Sequence, residues 1–320
     1  MRFGSGLVVG SFAPLHRGHQ LVIETAIAAC DRVTVMTWSN PEPVGMPTAV
    51  RADWIRALYP GVDVIGIDAA LCPPDSAPDE VQQAFTLEQL PRPVDAVFTS
   101  EPYGGALAAT LGAEHVAVDP GRRRVPISGT RIRADIHAHR EWLDPLVHAH
   151  FVEKIVFLGA ESTGKSTLVE ALAAALDEPC VPEVGRTLWV EAGGELPLAD
   201  YVRICREHVA LEDEAARRAK RFVFVDTNAI TTQAYAFFFF GECPEEVRAY
   251  AARCRERYAH TFVCAPDIPF VQDGTRVDAG VRPHQDGAIR NDLTIRGIPY
   301  TLVEGSLDER VARVRRAIGA

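Results

Sequence analysis

One stretch constrains this chain more than any other: Gly159-Ala160-Glu161-Ser162-Thr163-Gly164-Lys165-Ser166-Thr167, a match to G-x-x-x-x-G-K-[ST]. It follows an apolar run, Lys154 to Leu158, and opens a helix-period segment from about Gly164 to Leu176. That strand-turn-helix context identifies a phosphate-binding loop. Successive backbone N–H groups then cradle the phosphates of ATP, Lys165 reaches the β and γ oxygens, and the Ser166 hydroxyl binds Mg²⁺. A strand feeding such a turn belongs to a parallel sheet wrapped by helices, so the fold class is α/β.

The same rhythm of strand and helix occurs twice. In the first half apolar runs at Leu7 to Phe12, Arg32 to Thr37, Val62 to Ile67, Ala96 to Ser100 and His115 to Val118 alternate with helix-period segments, beginning with His19 to Cys30. In the second half Lys154 to Leu158 is followed by strands near Arg221 to Asp226, Thr261 to Ala265 and Pro299 to Val303. Between them Ala134 to Val152 is polar and His-rich, which places a boundary near 150 and gives two domains, 1–150 and 151–320. The pairs His137/His139 and His148/His150 in that segment read as solvated positions. The run Phe237 to Phe240, closed by Gly241, reads as a helix end packed on a core.

Charge narrows the partners. With 33 Lys and Arg against 43 Asp and Glu the net charge is −10, which argues against general attraction to nucleic acid or to anionic membranes. Any phosphate must be held by local geometry. The chain has no apolar run long enough to span a bilayer and starts without a signal-peptide pattern, so the expected location is cytoplasmic. Seven scattered cysteines without a C-x-x-C pair read as reduced thiols. A homo-oligomer is compatible with this sequence.

Around the phosphate loop, Asp226 ends an apolar run as a magnesium-holding carboxylate would, although an Asp at a strand exit can equally cap the next helix. Glu183 and Arg186 follow another strand and offer a second carboxylate and a cation, and either acid could serve as base. Gln272 to Arg276, with Arg282 and Arg290, lie in a Gly- and Pro-rich segment that resembles a lid, from which Arg276 could meet the nucleotide.

The first half carries its own phosphate signal. Gly10-Ser11-Phe12-Ala13-Pro14-Leu15-His16-Arg17-Gly18-His19 puts two imidazoles three residues apart at a strand-to-helix turn, with Gly10 and Gly18 allowing backbone to approach a ligand. Alone this reads equally as a capped turn or a metal pair. Far along the chain, Ile127-Ser128-Gly129-Thr130-Arg131-Ile132-Arg133 resembles the second signature of nucleotidyltransferases whose first signature is that H-x-G-H turn. The fitting chemistry is attack of a substrate phosphate on the α-phosphorus of ATP. His16 and His19 would lie on the triphosphate and Ser128, Thr130 and Arg133 on its outer phosphates, with Mg²⁺ neutralising the leaving group.

Together these motifs, with Arg51 and Trp54, the Thr99-Ser100-Glu101-Pro102-Tyr103-Gly104 element, Pro182 to Arg186 and Asp226 to Thr232, resemble the bifunctional nicotinamide-nucleotide adenylyltransferase and ribosylnicotinamide kinase family. The resemblance implies a Rossmann-like nucleotidyltransferase fold followed by a P-loop kinase fold. It implies two ATP sites, with nicotinamide riboside phosphorylated in the second domain and the mononucleotide joined to AMP in the first to give NAD. Trp38, Asn40, Arg51, Trp54, Glu101, Tyr103 and Arg186 become the substrate-side candidates. Two departures matter. The first signature begins at Gly10, which leaves no room ahead of it for the helix-turn-helix module some members carry. The kinase element that often reads Asp-Thr-Asp is Asp226-Thr227-Asn228 here, one carboxylate short. Rival readings are an adenylyltransferase for another acceptor such as phosphopantetheine, a monofunctional adenylyltransferase with a nucleotide-sensing P-loop unit, and a nucleic-acid-binding regulator.

Overall fold

The computed structural model describes residues 2–272, 274 and 279–320. The chain divides into two compact units, Met1–His148 and Ala149–Ala320.

In unit 1 the elements run β1 (Phe3–Gly10), α1 (Arg17–Ala29), β2 (Cys30–Thr37), α2 (Thr48–Leu58), β3 (Asp63–Gly66), α3 (Asp79–Gln89), β4 (Ala96–Thr99), α4 (Gly104–Leu111), β5 (Glu114–Ala117), α5 (Gly129–Ala134) and α6 (Pro145–Ala149). The strands form one sheet in the order β3-β2-β1-β4-β5, every pairing parallel. Strand order reverses between β1 and β4, and in open parallel sheets ligands bind at that reversal, beyond the carboxyl ends of the strands. Both segments of this half that the sequence reading puts on phosphate, the turn after β1 and α5, are delivered there.

In unit 2 the elements run β6 (Glu153–Leu158), α7 (Lys165–Leu176), β7 (Cys180–Val181), α8 (Val184–Glu191), α9 (Asp200–Arg218), β8 (Phe222–Asp226), α10 (Ala229–Phe240), α11 (Glu245–Arg257), β9 (His260–Cys264), α12 (Arg282–Ile295), β10 (Thr301–Val303) and α13 (Leu307–Ile318). The sheet order is β10-β9-β6-β8-β7, again wholly parallel. Parallel strands need helices on both faces, which explains why β8 reads Phe-Val-Phe-Val-Asp with every residue buried. Phe157, Phe224 and Phe262 pack on one face with Leu168 and Leu172 of α7, and Val156, Val223 and Val225 pack on the other. The central strand β6 thus runs straight into the phosphate loop.

Three local expectations are corrected. Gly241 does cap α10 in the left-handed region, but Phe237 to Phe240 remain between 42% and 52% exposed and form no core. His148 is buried rather than solvated, with its Nε2 3.3 Å from Nδ1 of His137. The Gly- and Pro-rich segment read as a lid turns into α12 at Arg282, so that Arg282 and Arg290 lie on a helix, with Pro283 in the first turn, where its missing N–H costs nothing. All seven cysteines are free thiols. No helix among the described residues is long and apolar enough to cross a membrane.

Candidate active sites

In unit 1, Gly10, Ser11, Phe12, His16, Gly18, His19, Glu101, Tyr103, Ser128, Thr130 and Arg133 all line one cavity of about 320 Å³. The geometry begins with His16, which caps α1: its Nδ1 accepts the Gly18 N–H at 3.0 Å, while His19 Nδ1 faces the His16 N–H at 3.4 Å. The rings stack with centroids 3.8 Å apart, and Phe12 closes on His19 edge-on. A side chain at position 18 would meet the His16 ring at 2.9 Å, so glycine is required by the imidazole it borders. Because Nδ1 of His16 accepts, its proton sits on Nε2, ready to donate.

Both imidazoles are neutral. Burial, aided by Arg122 and Arg133, lowers His16 to about 4, and burial followed by His16 itself lowers His19 well below its ordinary value against a hydrogen bond with the Pro14 backbone. His16 therefore offers an oriented N–H dipole, not a charge, while His19 is held in place by the Pro14 backbone and the His16 N–H. Charge comes from Arg133, whose guanidinium donates to the Ala13 carbonyl at 2.6 Å and to Thr130 Oγ1 at 3.2 Å, binding α5 to the first turn. Ser128 caps α5 by accepting the Arg131 N–H at 3.3 Å. Glu101 pairs with Arg122 at 2.7 Å at the cavity margin.

The substrate-side candidates divide. Trp38 and Tyr103 border an adjoining cavity of about 230 Å³ together with Asp75, Asp79 and Gln82, and this cavity shares Gly10 and Ser11 with the first. The Tyr103 hydroxyl donates to the Val9 carbonyl at 2.9 Å. Asn40 instead fastens a loop, donating its side-chain amide to the Cys72 carbonyl at 2.9 Å and its backbone N–H to Asp75 Oδ1 at 2.8 Å. Arg51 is wholly buried and donates to the Ser11 carbonyl, Thr37, Ser39 and Thr48, tying the site turn to β2 and α2 from behind. Trp54 is 4% exposed among core side chains of α2. Neither Arg51 nor Trp54 lines these cavities, a correction to the reading that puts them on substrate.

In unit 2 the loop after β6 is shaped by two positions. Gly159 has φ 143°, and a Cβ there would stand 2.7 Å from the Cys264 carbonyl; Gly164, at φ 79°, opens α7. Thr163, fully buried, closes the turn by donating to the Ala160 carbonyl at 2.8 Å. Lys165 Nζ rests on the Gly159 and Ala160 carbonyls at 3.0 and 2.9 Å. Ser162 accepts the Val271 N–H at 2.9 Å, and the Glu161 N–H donates to Gln285 at 3.0 Å. Thr167 is exposed on α7.

Ser166 Oγ donates to Asp226 Oδ2 at 2.5 Å, while Asp226 Oδ1 is buried without a partner among the described residues. A hydroxyl beside a carboxylate with an uncommitted oxygen is an oxygen-donor set that suits Mg²⁺. Asp226 is not a helix cap. That task falls to Asn228, whose side-chain oxygen accepts the Ile230 N–H at 3.0 Å. Between them Thr227 holds φ 65°, a strained value for a β-branched residue.

A cavity of about 380 Å³ extends from Lys165 and Glu161 past Glu183 and Arg186, lined further by Tyr201, His208, Thr231 and Tyr235. Burial and the neighbouring Asp226 raise the Glu183 carboxyl, opposed by Lys165 and by Arg186, whose Nε is 3.6 Å away. Sequence reasoning missed His208 and Thr231. A His on the apolar stripe of α9, four residues before Glu212, was the available signal.

Of the lid arginines, Arg276 lies outside the described residues. Arg282 is a brace: buried, it donates to the Ser162 carbonyl at 2.8 Å and the Ile268 carbonyl at 2.7 Å. Arg290 pairs with Asp286 at 2.9 Å along α12. Arg310, which the sequence did not single out, braces the loop from the other side through the Thr163 carbonyl at 2.6 Å, the Gly305 carbonyl and Asp267.

Comparison with known proteins gives three findings. Residues 154–310 match the family model of an AAA domain. The trifunctional NAD biosynthesis/regulator proteins NadR of Salmonella typhimurium strain LT2 and Escherichia coli strain K12 are each 29% identical, over 293 and 294 residues, covering 85% of this chain and 71% of theirs. The chain is NadR-like. In fold, it resembles the crystal structure of NadR protein in complex with NR, with TM-score 0.73, 22% identity and coverage of 99% of this chain and 96% of the other. NadR protein in complex with NAD and AMP-PNP gives TM-score 0.71 at 21% identity, covering 99% of this chain and 97% of that one.

Proposed function

We propose that this chain is a two-site enzyme of NAD biosynthesis. Unit 1 transfers AMP from ATP to nicotinamide mononucleotide, giving NAD and pyrophosphate. Unit 2 phosphorylates nicotinamide riboside with a second ATP. The observation that carries the reading is the convergence of the His16/His19 turn and the Arg133-bearing helix on one cavity, from segments 120 residues apart at the Ala13–Arg133 contact. Support comes from the likeness, along most of the chain, to relatives named for NAD biosynthesis, and from a fold shared with proteins bound to NR and to NAD with AMP-PNP.

In unit 1 a phosphate oxygen of the mononucleotide attacks the α-phosphorus of ATP. A new P–O bond forms as the α–β bridge breaks, and pyrophosphate leaves with the electron pair. His16 Nε2–H donates to the phosphate oxygens as charge builds on them, and neutrality of the ring lets it do so without binding the ground state excessively. Arg133, with Ser128 and Thr130, receives the departing pyrophosphate.

In unit 2 the riboside hydroxyl attacks the γ-phosphorus and ADP leaves. Glu183 takes the hydroxyl proton, for which its raised affinity suits it, while one Asp226 oxygen is held by Ser166 and the other is left for the metal. Lys165 leaves its loop carbonyls for the β and γ oxygens. Mg²⁺ would be held by Ser166 and Asp226, and when bound it would neutralise the phosphate charge.

Purified protein given ATP, Mg²⁺ and nicotinamide mononucleotide yields NAD; given nicotinamide riboside, it yields the mononucleotide and ADP. Lys165→Ala abolishes the second product and spares the first. Adenylylation of a different acceptor with no NAD formed would move unit 1 to that acceptor, and a wild type inert toward the riboside would leave unit 2 a nucleotide-binding module.

A further inference from the structure

Among the described residues, the arginines that line the unit 1 cavity of about 320 Å³ are Arg122 and Arg133. The two imidazoles beside them are neutral and add no charge. Arg133 is already tied to the Ala13 carbonyl and to Thr130 Oγ1. A triphosphate is a polyanion, and one tethered guanidinium is little to set against it. Arg122 is the remaining cation, and it has no task in the transfer described above.

The loop ahead of α5 holds Arg122 by its backbone and leaves its side chain free. Asp119 has φ 50° and Arg122 φ 48°, left-handed values that strain residues other than glycine. The Arg122 N–H donates to the Asp119 carbonyl at 2.8 Å, and the Asp119 carboxylate gathers the N–H groups of Arg123, Arg124 and Val125 at 2.8, 3.1 and 3.0 Å. The Arg122 side chain itself is 47% exposed. Its charge nevertheless reaches the imidazoles: burial comes first in lowering His16, and Arg122 comes next, ahead of Arg133. Its side-chain hydrogen-bond partner among the described residues is Glu101, whose Oε1 accepts from Nη2 at 2.7 Å and whose side chain is also 47% exposed. Glu101 lines the same cavity. So exposed an ion pair holds weakly and is screened by salt. A phosphate offers the same planar fork more charge and more oxygens, and so displaces the carboxylate.

We propose that Glu101 is a latch on Arg122: its carboxylate stands in for phosphate until ATP arrives, and the guanidinium then exchanges it for triphosphate oxygens. The inference rests on the reading of unit 1 as a site for ATP. Arg122, and not Glu101, is then the side chain that touches the nucleotide, and Glu101 competes with the ligand instead of binding substrate. The two roles differ in sign. Neutralising a carboxylate that binds substrate weakens the complex, whereas neutralising one that competes with phosphate strengthens it.

The test is a double-mutant cycle read by calorimetric titration of inorganic tripolyphosphate into the full chain, in a Lys165→Ala background that disables the other phosphate loop. Glu101→Gln should tighten binding by about threefold. Arg122→Gln should weaken it by about tenfold or more, and Arg122→Lys by less. With Arg122→Gln in place, adding Glu101→Gln should change affinity by less than about 1.5-fold, because the latch has nothing left to hold. In NAD formation the KM for ATP should move in the same directions, with the KM for nicotinamide mononucleotide unchanged. A Glu101→Gln chain that binds tripolyphosphate no better, or that gains equally with and without Arg122, overturns the latch, the second result marking a general loss of negative charge. Unaltered binding in Arg122→Gln overturns it as well. A wild type that forms no NAD overturns the adenylyltransferase reading, and the cycle on tripolyphosphate still decides the latch by itself.

Discussion

The guanidinium of Arg310, on the last helix, donates to the carbonyl of Thr163 at 2.6 Å across 147 residues of sequence. A peptide unit is planar and trans, so a carbonyl drawn back toward α13 turns the Gly164 N–H the opposite way, toward the phosphate side of the loop. Arg282 does the same for the Ser162 carbonyl. Arg310 is 2% exposed and makes further bonds to Gly305 and Asp267, so Arg310→Met should cost about 3 kcal/mol of stability. Arg310→Lys, which keeps the charge but not the fork, should lose less stability and still weaken ATP binding at the loop by about tenfold. Urea unfolding and ATP titration of both variants check this; full ATP affinity in Arg310→Lys would reduce the residue to a packing role.

Much of the frame was legible in the sequence because parallel strands announce themselves as short apolar runs and phosphate loops as glycine at fixed offsets. The H-x-G-H turn and the Ile127 to Arg133 segment also met as read, since each has a backbone reason for its spacing: His16 caps α1 and Ser128 caps α5. Arg51 was misplaced because a charged side chain in the first turn of a helix gives no sign that it will be swallowed by Ser11, Ser39 and Thr48. Arg282 and Arg310 were opaque for the same reason, as their partners are carbonyls, which every sequence has everywhere. The Phe237 to Phe240 run shows the converse. Apolar residues on consecutive helix positions point around the whole helix, and all four cannot reach one core.

The roles proposed for Glu183 and Asp226 differ, and pH should separate them. The Glu183 carboxyl is raised by burial and by Asp226, and a base must be deprotonated to act, so the kinase rate should fall on acidification beginning above the ordinary carboxyl value of 4.5. Glu183→Gln should remove that acid limb and lower kcat by about a hundredfold or more with little change in the KM for ATP. A pH profile of kcat for both proteins is the measurement; an acid limb that persists in Glu183→Gln would return the base to Asp226.

His16 links stability to pH in a direction that can be stated. Its folded value is lowered to about 4 from 6.5, so between those values the unfolded chain binds the proton and the folded chain does not. The stabilisation is complete above about 6.5 and is lost as pH falls toward 4, amounting to about 3 kcal/mol at the acid end. His148, lowered to about 4 by burial and by His137, loses stability over the same window. His16→Asn should flatten the dependence of the urea midpoint between pH 7 and 4 and cut NAD formation by about a hundredfold, while Lys165→Ala should leave the pH dependence untouched. Equal slopes in His16→Asn and wild type would mean that His16 is not held neutral by the fold.

Asn228 is the position where the sequence left kinase competence open, since a second carboxylate is absent. The structure gives the side chain another duty: its oxygen accepts the Ile230 N–H at 3.0 Å and starts α10, directly after the strained Thr227. An Asp would accept the same hydrogen bond, so Asn228→Asp should keep the cap and leave riboside phosphorylation within about threefold of wild type. Asn228→Ala should lose about 1 kcal/mol and loosen the turn that follows Asp226 and carries Thr227 and Thr231 into the cavity wall. Comparing the two by thermal unfolding and by riboside turnover distinguishes a cap from a lost metal ligand. A large gain of activity in Asn228→Asp would show that the missing carboxylate, and not the cap, limits the reaction.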